Sequence, residues 1–87
     1  MISKYRDEID ILDKEIIELY KKRLELSKKI GIYKIENNIS VLNKEREEEV
    51  ISKNIKDIND ENLVIYVKNI LQFIMKESRN FQKNIKF

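Results

Sequence analysis

Nine residues near the start of the chain step forward by alternating fours and threes: Tyr5, Ile9, Leu12, Ile16, Leu19, Arg23, Leu26, Ile30 and Tyr33. That spacing lines side chains along one seam of an α-helix. Pro is absent and the one Gly is Gly31, so no proline interrupts a helix from Met1 to about Asn37. At roughly 1.5 Å per residue such a helix is about 50 Å long. A compact chain of 87 residues has a radius of gyration of only about 12 Å. The helix cannot be wrapped by its own globule, so the seam predicts that it completes its packing on a second copy of the chain, in an obligate helical dimer or larger assembly.

Arg23 is the misfit in that seam. A guanidinium at a position patterned for an apolar side chain is costly unless an anion or several acceptors meet it. Something negative is expected there.

The composition narrows the rest. A chain of 87 residues is one domain, expected to span residues 1–87. Its 18 basic and 16 acidic side chains leave a net charge of +2 and are interleaved along the chain. No uniformly basic face follows, and nucleic acid is not indicated as a partner. With no Cys and no His, disulfides and thiolate chemistry are excluded and zinc lacks its usual ligands. Carboxylates alone could still hold a hard cation. The start, Met1-Ile2-Ser3-Lys4-Tyr5-Arg6-Asp7, has no apolar core of signal-peptide length, and no apolar run is long enough to span a membrane. The expected setting is cytoplasmic, with no membrane partner.

Along the chain, the first helix offers Glu18 with Lys22 and Lys21 with Glu25 as surface pairs at the four-residue spacing. Gly31 costs about 1 kcal/mol in a helix interior relative to Ala, yet the apolar pattern resumes at Tyr33 and Ile35, so Gly31 marks close packing, a ligand, or an early helix end. The stop falls at Asn37-Asn38, and a loop over Asn37 to Leu42 follows. Asn43 is placed to cap a second helix. There Lys44-Glu45-Arg46-Glu47-Glu48-Glu49 reads as a charge run, but Val50, Ile51 and Ile55 give the helix a buried side. Arg46 and Glu47 lie one turn before Val50 and Ile51, so at least one of these charges points inward or along an interface. After the polar stretch Lys56 to Glu61, with Asn59 and Asp60 as caps, Leu63, Val67, Ile70, Ile74, Ser78, Phe81 and Ile85 form a third helical stripe. Leu71, Met75, Ser78 and Gln82 make a neighbouring line on the same side, and the last residues are expected to fray. The fold class is therefore all-α: a long, a short and a medium helix, interlocked with a second copy.

Polar residues interrupt these apolar faces in a pattern. Arg23, Ser27, Ile30 and Lys34 follow steps of four, three and four, so Arg23 and Lys34 differ by only about 20° around the helix and lie about 16 Å apart along it. Two long side chains at that separation can converge on a ligand between them. Ser78 and Gln82 are neutral hydrogen-bonding groups on a mostly apolar side of the third helix, and Arg46 and Glu47 add a cation and a carboxylate. Singly, each has an ordinary reading: a seam Arg pairs with a partner's Glu, Lys34 snorkels to water, Ser78 bonds back to its own helix, and Arg46 with Glu47 is solvated surface. Jointly they describe a site between helices for a small, multiply anionic molecule.

The joint spacing of Arg6-Asp7-Glu8-Ile9-Asp10-Ile11-Leu12-Asp13, Lys22-Arg23-Leu24-Glu25-Leu26-Ser27, Gly31-Ile32-Tyr33-Lys34, Val41-Leu42-Asn43-Lys44-Glu45-Arg46-Glu47, and Glu77-Ser78 with Gln82 resembles the all-helical chorismate mutase family. The resemblance runs from about Lys4 to Lys83. It implies three helices per subunit interlocked as a homodimer, with two active sites that each borrow an Arg from the other subunit's long helix. By position, Arg23 and Arg6 of the partner subunit would bind one carboxylate of the dianionic substrate chorismate, and Arg46 would help hold the other. Arg6 lies about 25 Å before Arg23 along the helix, so one subunit's Arg6 and Arg23 cannot grip the same small molecule, whereas an antiparallel partner can bring its own Arg6 to the pocket. Lys34 and Gln82 would donate to the ether oxygen of the breaking bond, Glu47 and the Asn43 backbone amide would hold the ring hydroxyl, and Ser78 would sit against the ring carboxylate. The family commonly carries Asp where this chain has Asn43; a backbone contact tolerates that change.

The implied reaction, chorismate to prephenate in phenylalanine and tyrosine biosynthesis, is a concerted rearrangement of one molecule that needs no cofactor, metal or nucleophile. Two other readings stay open at this stage. One is a lyase of the same fold that eliminates pyruvate from isochorismate. The other is a non-catalytic helical dimerisation or regulatory module in which the polar residues form inter-helix salt bridges.

Overall fold

The computed structural model describes residues 1–85. They form three helices, α1 (Ile2–Glu36), α2 (Lys44–Ile55) and α3 (Glu61–Lys83), so the all-α expectation of a long, a short and a medium helix holds. Both later caps are the expected residues: Asn43 Oδ1 accepts from the Arg46 amide at 3.1 Å and Asp60 Oδ1 from the Asn62 amide at 2.9 Å. Ile85, placed on the third stripe, lies just past the end of α3. The expected fraying at the terminus falls in part on residues 86–87, outside the described residues.

The end of α1 has a local cause. Asn38 adopts a left-handed conformation, φ 54°, which Asn tolerates better than most residues. The amide of Ile39 then returns to the Lys34 carbonyl at 2.8 Å and that of Asn38 to the Ile35 carbonyl at 3.3 Å. This pair of backward bonds satisfies carbonyls that a helix end leaves open. Gly31 does not end the helix.

Helix α3 packs against both α1 and α2, which do not pack on each other. The molecule measures 53 × 28 × 15 Å with a radius of gyration of 15.9 Å, well above the value of about 12 Å for a compact chain of this length. Residues 1–19 are exposed throughout, so the first half of α1 projects beyond the other helices. The seam runs along it in the open: Tyr5, Ile9, Leu12, Ile16, Leu19, Leu26, Ile30 and Tyr33 are each more than half exposed. The less exposed residues of α1 are Tyr20, Arg23, Leu24, Ser27, Gly31, Ile32 and Lys34, a more polar set that shares only Arg23 with the seam. On α3 the line Leu71, Met75, Ser78, Gln82 turns inward, while Leu63, Ile70 and Phe81 of the expected stripe are exposed. Met75 is the one buried apolar side chain among the described residues.

The expected Glu18–Lys22 and Lys21–Glu25 pairs are replaced by Lys21 with Glu18 at 3.1 Å. All these groups are exposed, and the choice among such pairs carries little energy.

No described helix is long and apolar enough to cross a membrane.

Candidate active site

The three helices and the loop after α1 enclose a cavity of about 280 Å³, close to the small end of ligand pockets. Its apolar wall comes from Leu26, Ile30, Val41, Val50 and Met75; its polar groups are Arg23, Ser27, Lys34, Arg46, Glu47, Ser78, Arg79 and Gln82. Six of the expected site residues, Arg23, Lys34, Arg46, Glu47, Ser78 and Gln82, therefore meet at one place. Two do not. Arg6 is exposed on the projecting half of α1, and Asn43 caps α2 without lining the cavity.

Arg23 is half-buried, and its Nη1 donates to Ser78 Oγ at 2.6 Å. The hydroxyl accepts this bond and keeps its own hydrogen for another acceptor. Lys34 Nζ donates to the Val41 carbonyl at 2.7 Å, so the residue whose carbonyl ends α1 also ties the following loop to the pocket with its side chain. Both cations are thus held by neutral oxygens. Arg46 instead leans outward onto Glu49 at 2.6 Å and is exposed. Glu47, the inward-pointing charge of its pair, receives Arg79 Nη1 on both carboxylate oxygens at 2.5 Å. With Arg46 and Arg79 answered by carboxylates, Arg23 and Lys34 leave the cavity with two positive charges that no carboxylate meets among the described residues.

Gln82 is buried at the floor, where its Nε2 donates to Ser27 Oγ at 3.0 Å. Its Oε1 is buried and has no partner among the described residues. A half-turn of the amide exchanges the two ends: Ser27 then donates to Oε1, and both N–H groups of Gln82 are available to an acceptor.

Gly31 sets how closely this floor approaches α1. A Cβ there would stand 2.9 Å from Gln82 Cγ and 2.6 Å from Ile85 Cδ1, inside any normal carbon contact. Gly31→Ala ordinarily adds about 1 kcal/mol to a helix, but here displacing Gln82 costs about 1–3 kcal/mol. The expected outcome is a lower melting temperature and roughly tenfold slower turnover; a higher melting temperature with unchanged turnover would show that α3 has room to spare.

Arg79 is the site residue that the sequence reading passed over. The signal was present: Arg79 lies four residues after Met75 and three before Gln82, on the same side of α3. Among the described residues no group of three Asp or Glu comes together in a way that could hold a metal.

Three helices, with α3 packed on both others, and a small cavity that Arg23 and Lys34 line without a carboxylate partner among the described residues define an all-helical protein with a candidate site for an anion. The sequence matches the chorismate mutase type II family over residues 5–83, and the chain belongs to that family. Among its relatives are two proteins named bifunctional chorismate mutase/prephenate dehydratase. That of Buchnera aphidicola subsp. Acyrthosiphon pisum (strain APS) is 38% identical over 82 residues, covering 93% of this chain and 21% of the relative. That of Buchnera aphidicola subsp. Baizongia pistaciae (strain Bp) is 33% identical over 81 residues, covering 91% of this chain and 22% of the relative. The chain spans about a fifth of the length of these curated relatives. No solved structure matches it significantly.

Proposed function

We propose that this chain is a chorismate mutase that works as a homodimer, converting chorismate to prephenate. The observation that carries the assignment is the pair of cations, Arg23 and Lys34, held by neutral oxygens over a small, largely apolar cavity. A dianionic molecule supplies the two missing negative charges. In the rearrangement one C–O ether bond breaks as one C–C bond forms within the same molecule, and no proton is transferred. The site therefore has two tasks. It holds the flexible enolpyruvyl arm folded over the ring, and it places fixed positive charge where the ether oxygen gains electron density.

Arg23 grips a substrate carboxylate, with Ser78 donating its free hydroxyl hydrogen beside it. Lys34 and the turned amide of Gln82 meet the ether oxygen, and Glu47 accepts the ring hydroxyl, assisted by the Asn43 backbone amide. Arg46, released from Glu49, reaches the second carboxylate. A 10⁶-fold acceleration needs roughly 8 kcal/mol of transition-state stabilisation, a total within reach of several charge-assisted bonds.

Dimerisation is supported by surface. The chain exposes 7594 Å², whereas a compact monomer of its mass exposes about 5,500 Å². A dimer of ordinary compactness exposes about 9,100 Å² in total, so two such chains joined along their seams bury about 6,000 Å², the range of obligate interfaces. Run antiparallel, the projecting half of α1 carries Arg6 of the partner subunit toward the pocket and completes the carboxylate grip.

Incubating the protein with chorismate and identifying the product tests the assignment. Prephenate is expected. Release of pyruvate from isochorismate without prephenate from chorismate would assign the lyase, and turnover of neither by a folded dimer would leave a non-catalytic helical module.

A further inference from the structure

The acidic group in this cavity poses a problem for the ligand that the cavity fits. Glu47 is the one carboxylate among the lining residues, and its side chain remains 25% exposed. Facing a dianion, an unanswered carboxylate repels what Arg23 and Lys34 attract. Arg79 answers it: its side chain is 27% exposed, it lines the same cavity, and one of its nitrogens bridges both Glu47 oxygens. The contact joins α2 to α3 across 32 positions of sequence. It differs from the surface pairs of Arg46 and Lys53 with Glu49, which are more than half exposed and lie within one helix.

We infer that Arg79 is a positioning and charge-masking residue: it neutralises Glu47 and fixes the carboxylate's plane, so that Glu47 serves as an acceptor for a substrate hydroxyl without repelling the substrate's carboxylates. The inference rests on the mutase reading and adds to it a determinant of substrate affinity. Arg79 acts through Glu47, so its effect exists only while Glu47 is charged. Each carboxylate oxygen has more than one acceptor site, so a ligand hydroxyl and Arg79 can share Glu47.

Steady-state kinetics on chorismate with Arg79→Met, Arg79→Lys, Glu47→Gln and the Glu47→Gln/Arg79→Met double variant test the coupling, with thermal melts as the check on folding. Arg79→Met is expected to raise KM about tenfold while kcat changes less than threefold, and Arg79→Lys is expected to recover part of the loss. In the Glu47→Gln background the same Arg79→Met change is expected to move KM less than twofold. Equal KM effects in both backgrounds, a fall in kcat with KM untouched, or no effect at all would overturn the inference while leaving the mutase standing. If Arg79→Met does not fold, the double variant decides, because it carries no unpaired charge: KM within threefold of Glu47→Gln supports the inference, and a tenfold difference overturns it. A wild-type protein that does not turn over chorismate overturns both.

Discussion

Arg23→Ala is expected to lower kcat/KM on chorismate by about three orders of magnitude while leaving the fold intact. Arg23 gives up one intramolecular bond, to Ser78 Oγ, and a grip on a substrate carboxylate. A guanidinium–carboxylate pair makes two charge-assisted bonds, each worth about 1.5–3 kcal/mol, and a loss of about 4 kcal/mol is a factor of about 10³. Stability has little to lose, because the only protein acceptor of Arg23 among the described residues is a neutral hydroxyl. Arg6→Ala is expected to be similarly inactive, although Arg6 lies outside the pocket of its own chain. Refolding equimolar Arg6→Ala and Arg23→Ala chains together puts half of the subunits into heterodimers, and each heterodimer assembles one intact site from the two undamaged arginines. About a quarter of wild-type activity is expected to return for such random two-fold pairing. No recovery in a mixture where heterodimers have been demonstrated would mean that each site is built from one chain.

The second large effect is expected at Lys34, and it falls on kcat. Lys34→Met removes both the ammonium and the bond to the Val41 carbonyl, while keeping an apolar stem of similar length. If the charge stabilises the ether oxygen as the bond breaks, kcat falls about 10²–10³-fold, the cost of losing one donor from a preorganised charge-stabilising site, with a much smaller change in KM. Lys34→Arg keeps a charge and a donor to the loop but displaces the charge, and is expected to recover only part of the rate. The two variants separate the roles of this side chain. A tether acting only on the loop predicts that Arg restores nearly full activity and that Met chiefly raises KM.

Helix number, order and boundaries were legible because they depend on local signals: the stepped apolar residues, the absence of Pro, and Asn43 and Asp60 at positions whose side chains cap the next turn. The face that α1 turns toward its neighbour was not. In α1 the most apolar seam is the exposed one, and α3 settles against Ser27 and Gly31, where small side chains let the backbones approach. A hydrophobicity pattern finds the face that most needs covering without saying whether its own chain or another copy covers it. Six of the eight expected site residues gathered at one cavity because Arg23 and Lys34 share a helical face and Ser78 and Gln82 share another. The Arg79–Glu47 pair joins two helices, and no spacing within either helix encodes it. The pairing of Arg46 with Glu49 is likewise one that sequence order alone leaves open.

A protomer in which Met75 is the one buried apolar side chain among the described residues has little to offset the entropy of ordering three helices. If the exposed seam closes on a second copy, the chain has no folded state in which to wait for it. Acquiring shape and finding a partner then become one bimolecular event, and the conformational stability of the enzyme carries a concentration in it: about 1.4 kcal/mol is lost for each tenfold dilution. Catalytic competence then depends on abundance twice, through the number of molecules and through the fraction of them that exist as protein with a fold.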